Sequence, residues 1–375
     1  MMKKIHYILS HPIQYQSPLI RYLVYKGVNI KVFYRSSKSI NNYFDTEFKK
    51  KIKWDIDLLR GYNHEFLKYI GPNKTGKFYP INVEIFKIFK NTDYIWIHGI
   101  KNWYSILILM LNFFFNKKIL VREEIQNINN FRSQHNLVLN KIFYKLINKY
   151  IHKFLFIGKA NKDFYQKMGI SKKKLILIPY VVDNEFFNKY KKVKKKNTQT
   201  EILLASKFIK KKGIDIFINA IIICNKNKRF RKNVKIKIVG DGPEKINLIK
   251  QKKENKIKNI YFKKFQNQKK LKNYYQKSDI FILPSRYEPW GLTTNEAMAS
   301  GNLIITSKNV GSANDLVKHG YNGFIFNNHK DLSKYLLEIC FNKKKIQIFK
   351  SRSLKLINKW NFELCYKNLI KIIND

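Results

Sequence analysis

The chain has 375 residues, 45% of them hydrophobic and 15% aromatic, and 75 Lys and Arg against 25 Asp and Glu give a formal net charge of +50. That apolar content excludes a globally disordered chain, and the length fits two domains. The charge suits a polyanionic partner such as nucleic acid, anionic lipid or a phosphorylated substrate. The lysines are nevertheless scattered along the whole sequence beside abundant Asn and Ile, the pattern that AT-rich coding alone produces.

In chain order, short apolar runs alternate with amphipathic ones. The opening "MMKKIHYILSHP" contains a first strand (4–10) with no small-residue cleavage site after it, so no signal peptide is expected. Leu19, Ile20, Leu23 and Val24 share one helical face. Runs at 29–34, 93–99, 118–123, 154–158 and 175–180 read as further buried strands. "YSILILMLNFFF" (104–115) is too short for a bilayer span, which takes ~20 residues, and reads as a helix buried in the core, with a membrane-dipping helix as the alternative. "NKYKKVKKKNTQT" (188–200) has no apolar periodicity and a dense lysine cluster, which marks a solvated linker. Strand-helix alternation then restarts at 201–206, 234–240, 259–264, 279–285, 302–307 and 323–326.

Such alternation specifies parallel sheets covered on both faces. The expected fold class is therefore α/β, with two Rossmann-like doubly wound domains. Their expected limits are 1–187, a basic linker at 188–200, a second domain at 201–357, and a terminal helix at 358–375 that returns to the first domain by fold-level analogy. A ligand is expected in the cleft between the domains, at the carboxyl ends of the strands. Cys224, Cys340 and Cys365 are far apart and have no His at metal spacing, which fits a reducing cytoplasm.

Three stretches carry chemistry. In "LLASKFIKKKGIDIFINA" (203–220), Lys207 and Lys212 flank a loop between a strand end and a helix beginning near Ile214. A loop feeding a helix N-terminus suits a diphosphate, and two ammonium groups would neutralise its growing charge on departure. One residue in five is Lys or Arg, so only the position gives this pair weight. In "VGDGPEK" (239–245), Gly240 and Gly242 either let a nucleotide approach the backbone or form an ordinary turn before a helix starting near Pro243. In "EPWGLTTNEAMASG" (288–301), Thr293 and Glu296 match a capping box, which would give Glu296 a purely structural role. Glu288 has no such explanation; a carboxylate there can accept hydrogen bonds from sugar hydroxyls beside the amides of Gly291 and Leu292.

Taken together, "DIFILPSRYEPWGLTTNEAMASGNLIIT" resembles the E-x7-E signature of retaining glycosyltransferases of the GT-B fold, carbohydrate-active family 4, also called glycosyl transferases group 1. "GSANDLVKHGYNGFIF", "SKFIKKKG" and "VGDGPEK" resemble further segments of that family in the expected order, across most of 201–330. The resemblance implies that Glu296 binds the ribose of the donor nucleotide and that Glu288 contacts the transferred sugar. Gly291 and Leu292 would supply amides, and Lys207 and Lys212 would grip the diphosphate. Lys207 stands where the family usually has Arg, which loses the bidentate fork. Ser206 replaces a glycine, and Asp315 stands where Glu is commoner.

The first half is similar to a subset of these enzymes through "SHPIQYQSPLIRYL" and "WDIDLLRGY". The family's usual Gly-rich loop is absent there. "VREE" resembles the strand end where many relatives carry an acceptor-side His; Glu124 would fill that role and orient the acceptor hydroxyl, with His98 and His11 as rivals and a structural role open for each. Asp55 and Asp57 form an Asp-x-Asp pair, a metal motif in a different glycosyltransferase fold. With lysines supplying positive charge, no metal and no cofactor beyond the donor is expected.

The leading expectation is a sugar transferase acting on a glycan or lipid-linked acceptor in cell-surface polysaccharide synthesis. It would work in the cytoplasm, with an anionic membrane surface as a further expected partner and without nucleic acid. Competing readings are a nucleic-acid-binding protein, for which no zinc finger, ribonucleoprotein motif or helix-turn-helix is present, a sugar-nucleotide epimerase or phosphorylase, and an inactive scaffold.

Overall fold

A computed structural model describes residues 3–72, 76, 78, 80–125, 134–188 and 199–374. Residues 189–198, most of the basic stretch read as a linker, lie outside the described residues. By contact the chain forms two units: Met1–Tyr43 with Ile56–Val181 and Phe362–Asp375, and Phe44–Asp55 with Val182–Asn361.

The first unit is built on β1 (Ile5–Leu9), α1 (Gln16–Tyr25) and β2 (Ile30–Tyr34). A ribbon of β3 (Tyr43–Asp45) and β4 (Lys50–Ile52) follows, most of which belongs to the second unit. Next come β5 (Asn63–Phe66), the small pair β6 (Tyr69–Ile70) and β7 (Ile81–Asn82), a 3-10 turn at Ile85–Phe89, and β8 (Tyr94–His98). The unit continues with α2 (Trp103–Phe115), β9 (Lys118–Arg122), α3 (Gln134–Asn148), β10 (Lys153–Phe156), α4 (Lys159–Lys167) and β11 (Leu175–Leu177). Seven parallel strands stand in the order β11-β10-β9-β8-β1-β2-β5. The central strands are Ile, Leu, Val and aromatic because both of their faces are covered; β1 is buried along its whole length.

The second unit follows from α5 (Asn184–Asn188). It comprises β12 (Thr200–Ala205), α6 (Ile214–Cys224), α7 (Lys228–Asn233), β13 (Val234–Val239), α8 (Lys245–Glu254), β14 (Ile260–Lys263) and α9 (Gln268–Lys277). Then come β15 (Ile280–Leu283), α10 (Leu292–Ala299), β16 (Leu303–Ser307), α11 (Ala313–Leu316), β17 (Gly323–Phe326), α12 (His329–Ile339) and α13 (Lys343–Ile357). Its six parallel strands run β14-β13-β12-β15-β16-β17. The last helix, α14 (Phe362–Asn374), packs in the first unit: Tyr22 Oη donates to Glu363 at 2.6 Å and Asn368 Nδ2 to the Leu177 carbonyl at 2.8 Å.

Two expectations need correction. Residues 44–55, read as part of the N-terminal domain, cluster with the second unit, where the Phe48 and Phe265 rings meet at 4.7 Å. The apolar helix α2 is buried on one face alone; Met110, Phe113 and Phe114 are exposed.

Candidate active site

In the second sheet the chain starts at β12, adds β13 and β14 on one side, then returns to place β15 on the other. The loops after β12 and β15 therefore diverge at a topological switch point, where the carboxyl ends of the strands leave a crevice. Lys207 and Lys212 lie on the first loop and Glu288 on the second.

These loops meet through a Lys212–Glu288 ion pair, in which Nζ donates to Oε2. Both side chains are largely covered, at 15% and 13% exposure. Ser285 Oγ also reaches Glu288 Oε2 at 3.4 Å. The backbone around Glu288 is fixed by its amide on the Asn309 carbonyl (3.2 Å) and its carbonyl on the Gly311 amide (2.9 Å). Trp290 is buried, donates Nε1 to Asn295 Oδ1 at 2.9 Å, and stacks on Trp360 with centroids 5.7 Å apart. The loop is thus held from both sides before α10 begins.

Gly291 is the N-cap of α10, with φ 89°. A β-carbon there would meet Leu283 Cδ2 at 2.9 Å and Glu288 Cγ at 3.1 Å, so glycine keeps both the turn and the Glu288 side chain in place. No side chain caps α10, which places Thr293 and Glu296 inside the helix and removes the capping-box reading of this pair. Glu296 is buried instead, and Tyr275 Oη donates to its Oε2 at 2.8 Å. Burial outweighs that hydrogen bond and raises its carboxyl to about 7.

Lys207 lies elsewhere. Its Nζ binds Glu47 Oε2 at 2.7 Å and Asp45 Oδ2 at 3.1 Å, and it sits over the Phe48 ring at 4.8 Å. Lys211 adds a 3.6 Å contact to Glu47. All of these residues belong to the second unit, so the 44–55 segment lays two carboxylates on the diphosphate-type loop. The glycines of "VGDGPEK" serve the same packing. A β-carbon on Gly242 would meet the Phe208 carbonyl at 2.6 Å and the Glu47 carbonyl at 3.0 Å, and one on Gly240 would overlap the Ser206 carbonyl. The helix after them opens at Lys245, two residues beyond Pro243.

The Asp-x-Asp residues are separately engaged. Asp55 Oδ2 accepts from the Lys269 amide in the first turn of α9 at 3.1 Å. Asp57 Oδ1 accepts from the Leu59 and Arg60 amides, both at 3.0 Å, which lowers its carboxyl pKa.

The first unit has a switch point of its own, between β1 and β8. Glu124, just past β9, is exposed and accepts at Oε1 from Tyr180 Oη (2.7 Å) and Tyr15 Oη (2.9 Å). His98 Nε2 stands 3.0 Å from the same Tyr180 oxygen, and its Nδ1 stands 3.2 Å from Tyr7 Oη. Tyr180 gives its one proton to the carboxylate, which leaves His98 Nε2 as the donor to that oxygen. Burial, with Arg122 nearby, pushes the imidazole down to about 3, so it stays neutral. Glu124 and His98 are therefore parts of one chain of hydrogen bonds. His11 is bonded to Ser10 Oγ at 2.9 Å and is lowered to about 4 by burial. Tyr15, the N-cap residue of α1, and Tyr180, just past β11, escaped the sequence reading because a lone tyrosine in an apolar stretch looks like core. The neighbouring Glu123 is buried against Tyr144 and Tyr165 and takes no part in the exposed group.

Residues 185–355 match the family model for glycosyl transferases group 1. The matched region takes in Lys207, Lys212, Glu288 and Glu296. The chain is 27% identical over 178 residues to an uncharacterized glycosyltransferase of Methanocaldococcus jannaschii, covering 46% of this chain and 47% of that one. It is 28% identical over 165 residues to an uncharacterized 41.2 kDa protein in the cps region of Klebsiella pneumoniae, covering 42% and 43%. The chain thus spans less than half the length of these curated relatives. The crystal structure of Anabaena HepE in complex with UDP superposes with a TM-score of 0.76 at 16% identity, covering 99% of each chain. That likeness shows the fold, two Rossmann-like α/β units of the GT-B class, as the sequence led one to expect.

Proposed function

We propose that the chain transfers a sugar from a nucleoside-diphosphate sugar, held by the second unit, to a glycan or lipid-linked acceptor bound by the first. Transfer proceeds with retention of anomeric configuration, in the assembly of a cell-surface polysaccharide on the cytoplasmic side of the membrane. The observation that carries this reading is the Lys212–Glu288 pair at the switch point of the group 1 region. The relative in a cps region supports the polysaccharide assignment.

An ammonium has three N–H donors, and the Glu288 bond uses one. The others face the charge that develops on the diphosphate as the anomeric C–O bond breaks and its electron pair leaves with the phosphate. The first amides of α10, which have no intrahelical partner, add to that stabilisation. Glu288 accepts from a hydroxyl of the transferred sugar, and Glu296 accepts from the ribose. The acceptor oxygen bonds to the anomeric carbon on the face the diphosphate leaves, and its proton passes to a diphosphate oxygen. Glu124, fixed by Tyr15 and Tyr180, orients the acceptor hydroxyl. Lysine provides the cationic stabilisation, so the reaction is metal-independent, and neither a further cofactor nor nucleic acid takes part.

The reading is tested by incubating the protein, with chelator present, with UDP-, GDP- and ADP-sugars and a lipid-linked glycan. One donor class releases nucleoside diphosphate in step with acceptor glycosylation. Release by none of them, or release that requires added Mn²⁺, overturns the assignment or its metal independence respectively.

A further inference from the structure

We infer that one face of the first unit, formed by α2, α3 and the 3-10 turn at 85–89, is a docking surface for an anionic lipid bilayer. Helix α2 has no charged residue, and its outer face is apolar. Ile106, Met110, Phe113 and Phe114 recur at helical spacing, and the last two are 77% and 79% exposed. A helix face turned to water normally carries charge. Here burial is incomplete on the side where the sequence offers no polar alternative.

Helix α3 continues the surface. Leu139, Ile142 and Leu146 are all more than half exposed on one side of it. Lys141, Lys145 and Lys149 run at four-residue intervals along the edge of the same outer face, all exposed. The two helices are neighbours: Lys101, just before α2, bonds Asn140 Oδ1 and sits over the Tyr144 ring at 5.3 Å. At the other end of α2, Phe115 stacks on Phe89 at 4.4 Å, which brings in the exposed Phe86 of the 3-10 turn. Between residues 101 and 150 the sequence has only two acids, Glu123 and Glu124. The surface is therefore an apolar field with aromatic side chains and a lysine rim.

Charge decides the occupant. A second copy docked on this face by a two-fold axis would bring the lysine rim against itself, and like charges oppose that. An anionic headgroup layer neutralises the rim while the acyl boundary takes the Phe and Met side chains. Insertion is shallow: α2 has 13 residues, and among the described residues no helix is long and apolar enough to cross a membrane.

The inference does not depend on the sugar-transfer reading. The test is co-sedimentation of the full chain with phosphatidylcholine vesicles, with or without about one-third phosphatidylglycerol. Binding to the anionic vesicles is expected to be at least on the order of tenfold tighter. The wild-type comparison needs no variant; equal binding to both vesicles, or none, overturns the proposal. The double substitution Met110→Asp and Phe113→Asp, at exposed positions, is expected to weaken anionic-vesicle binding by on the order of tenfold with melting temperature and nucleotide-sugar binding unchanged. Unchanged vesicle binding by this variant reduces the effect to adsorption of a basic protein and overturns the proposal. So does a wild-type dimer, seen by sedimentation velocity, that the same variant dissolves while vesicle binding is absent. Lys141→Glu, Lys145→Glu and Lys149→Glu together are expected to lose about fivefold for each lysine.

Discussion

Lys212 and Glu288 lie 76 positions apart and share one hydrogen-bonded ion pair across the switch point of the second sheet. If this carboxylate merely holds Lys212, Glu288→Gln keeps an acceptor and keeps activity. If it also receives a sugar hydroxyl beside the leaving diphosphate, Glu288→Gln and Glu288→Ala both lose transfer by on the order of a hundredfold or more. The account predicts the second result. Thermal unfolding should show a cost of about 1–3 kcal/mol for the alanine variant, because Lys212 loses its partner, and less for glutamine.

Glu296 gives a pH signature. Its folded carboxyl is raised to about 7, above the ordinary 4.5, so the folded state holds this proton more tightly than the unfolded one. The stabilisation is full below pH 4.5 and is lost as pH rises through about 7. Glu296→Gln does not titrate, so its stability relative to wild type should climb between pH 5 and pH 8, read as melting temperature. Ribose hydroxyls donate to the ionised carboxylate, so calorimetry should show wild-type donor binding tightening as pH rises through about 7. That dependence should vanish in the glutamine variant.

Asp45 and Glu47 occupy the Lys207 ammonium that a diphosphate would use. The donor must therefore exchange with these carboxylates. Asp45→Asn with Glu47→Gln is expected to lower the donor KM several-fold, with kcat little changed. A raised KM would mean that the acidic segment shapes the site instead of competing for it.

In the first unit, Glu124 is predicted to act on the acceptor. Glu124→Gln should raise the acceptor KM and lower kcat, while donor affinity measured by calorimetry stays the same. Tyr180→Phe should do so more weakly, since Tyr15 still holds the carboxylate. A change in donor affinity with either variant would contradict the assignment.

The strands of both sheets were legible as apolar runs because a parallel sheet buried on both faces leaves no room for polar residues. The edge strand β5, "NHEF", was missed because an edge needs no such run. Lys212, Glu288 and Glu296 were legible through position and family resemblance, although only the structure shows that Tyr275 holds Glu296. The partners of Lys207 were not legible. Asp45 lies 162 positions away, and no local pattern signals where a short polar ribbon docks. The exposure of α2 was legible as one of two readings only: an uncharged apolar run too short for a span fits a core helix or a membrane-dipping one, and the sequence does not choose between them.

The most direct test of the central claim, that the second unit grips the diphosphate of a donor through Lys212, is calorimetric titration of wild type and Lys212→Ala with UDP-, GDP- and ADP-sugars. The account predicts that one nucleotide class binds the wild-type chain and that the alanine variant binds it at least on the order of tenfold more weakly. Equal binding by the two proteins, or no binding of any of the three classes by the wild type, would contradict it.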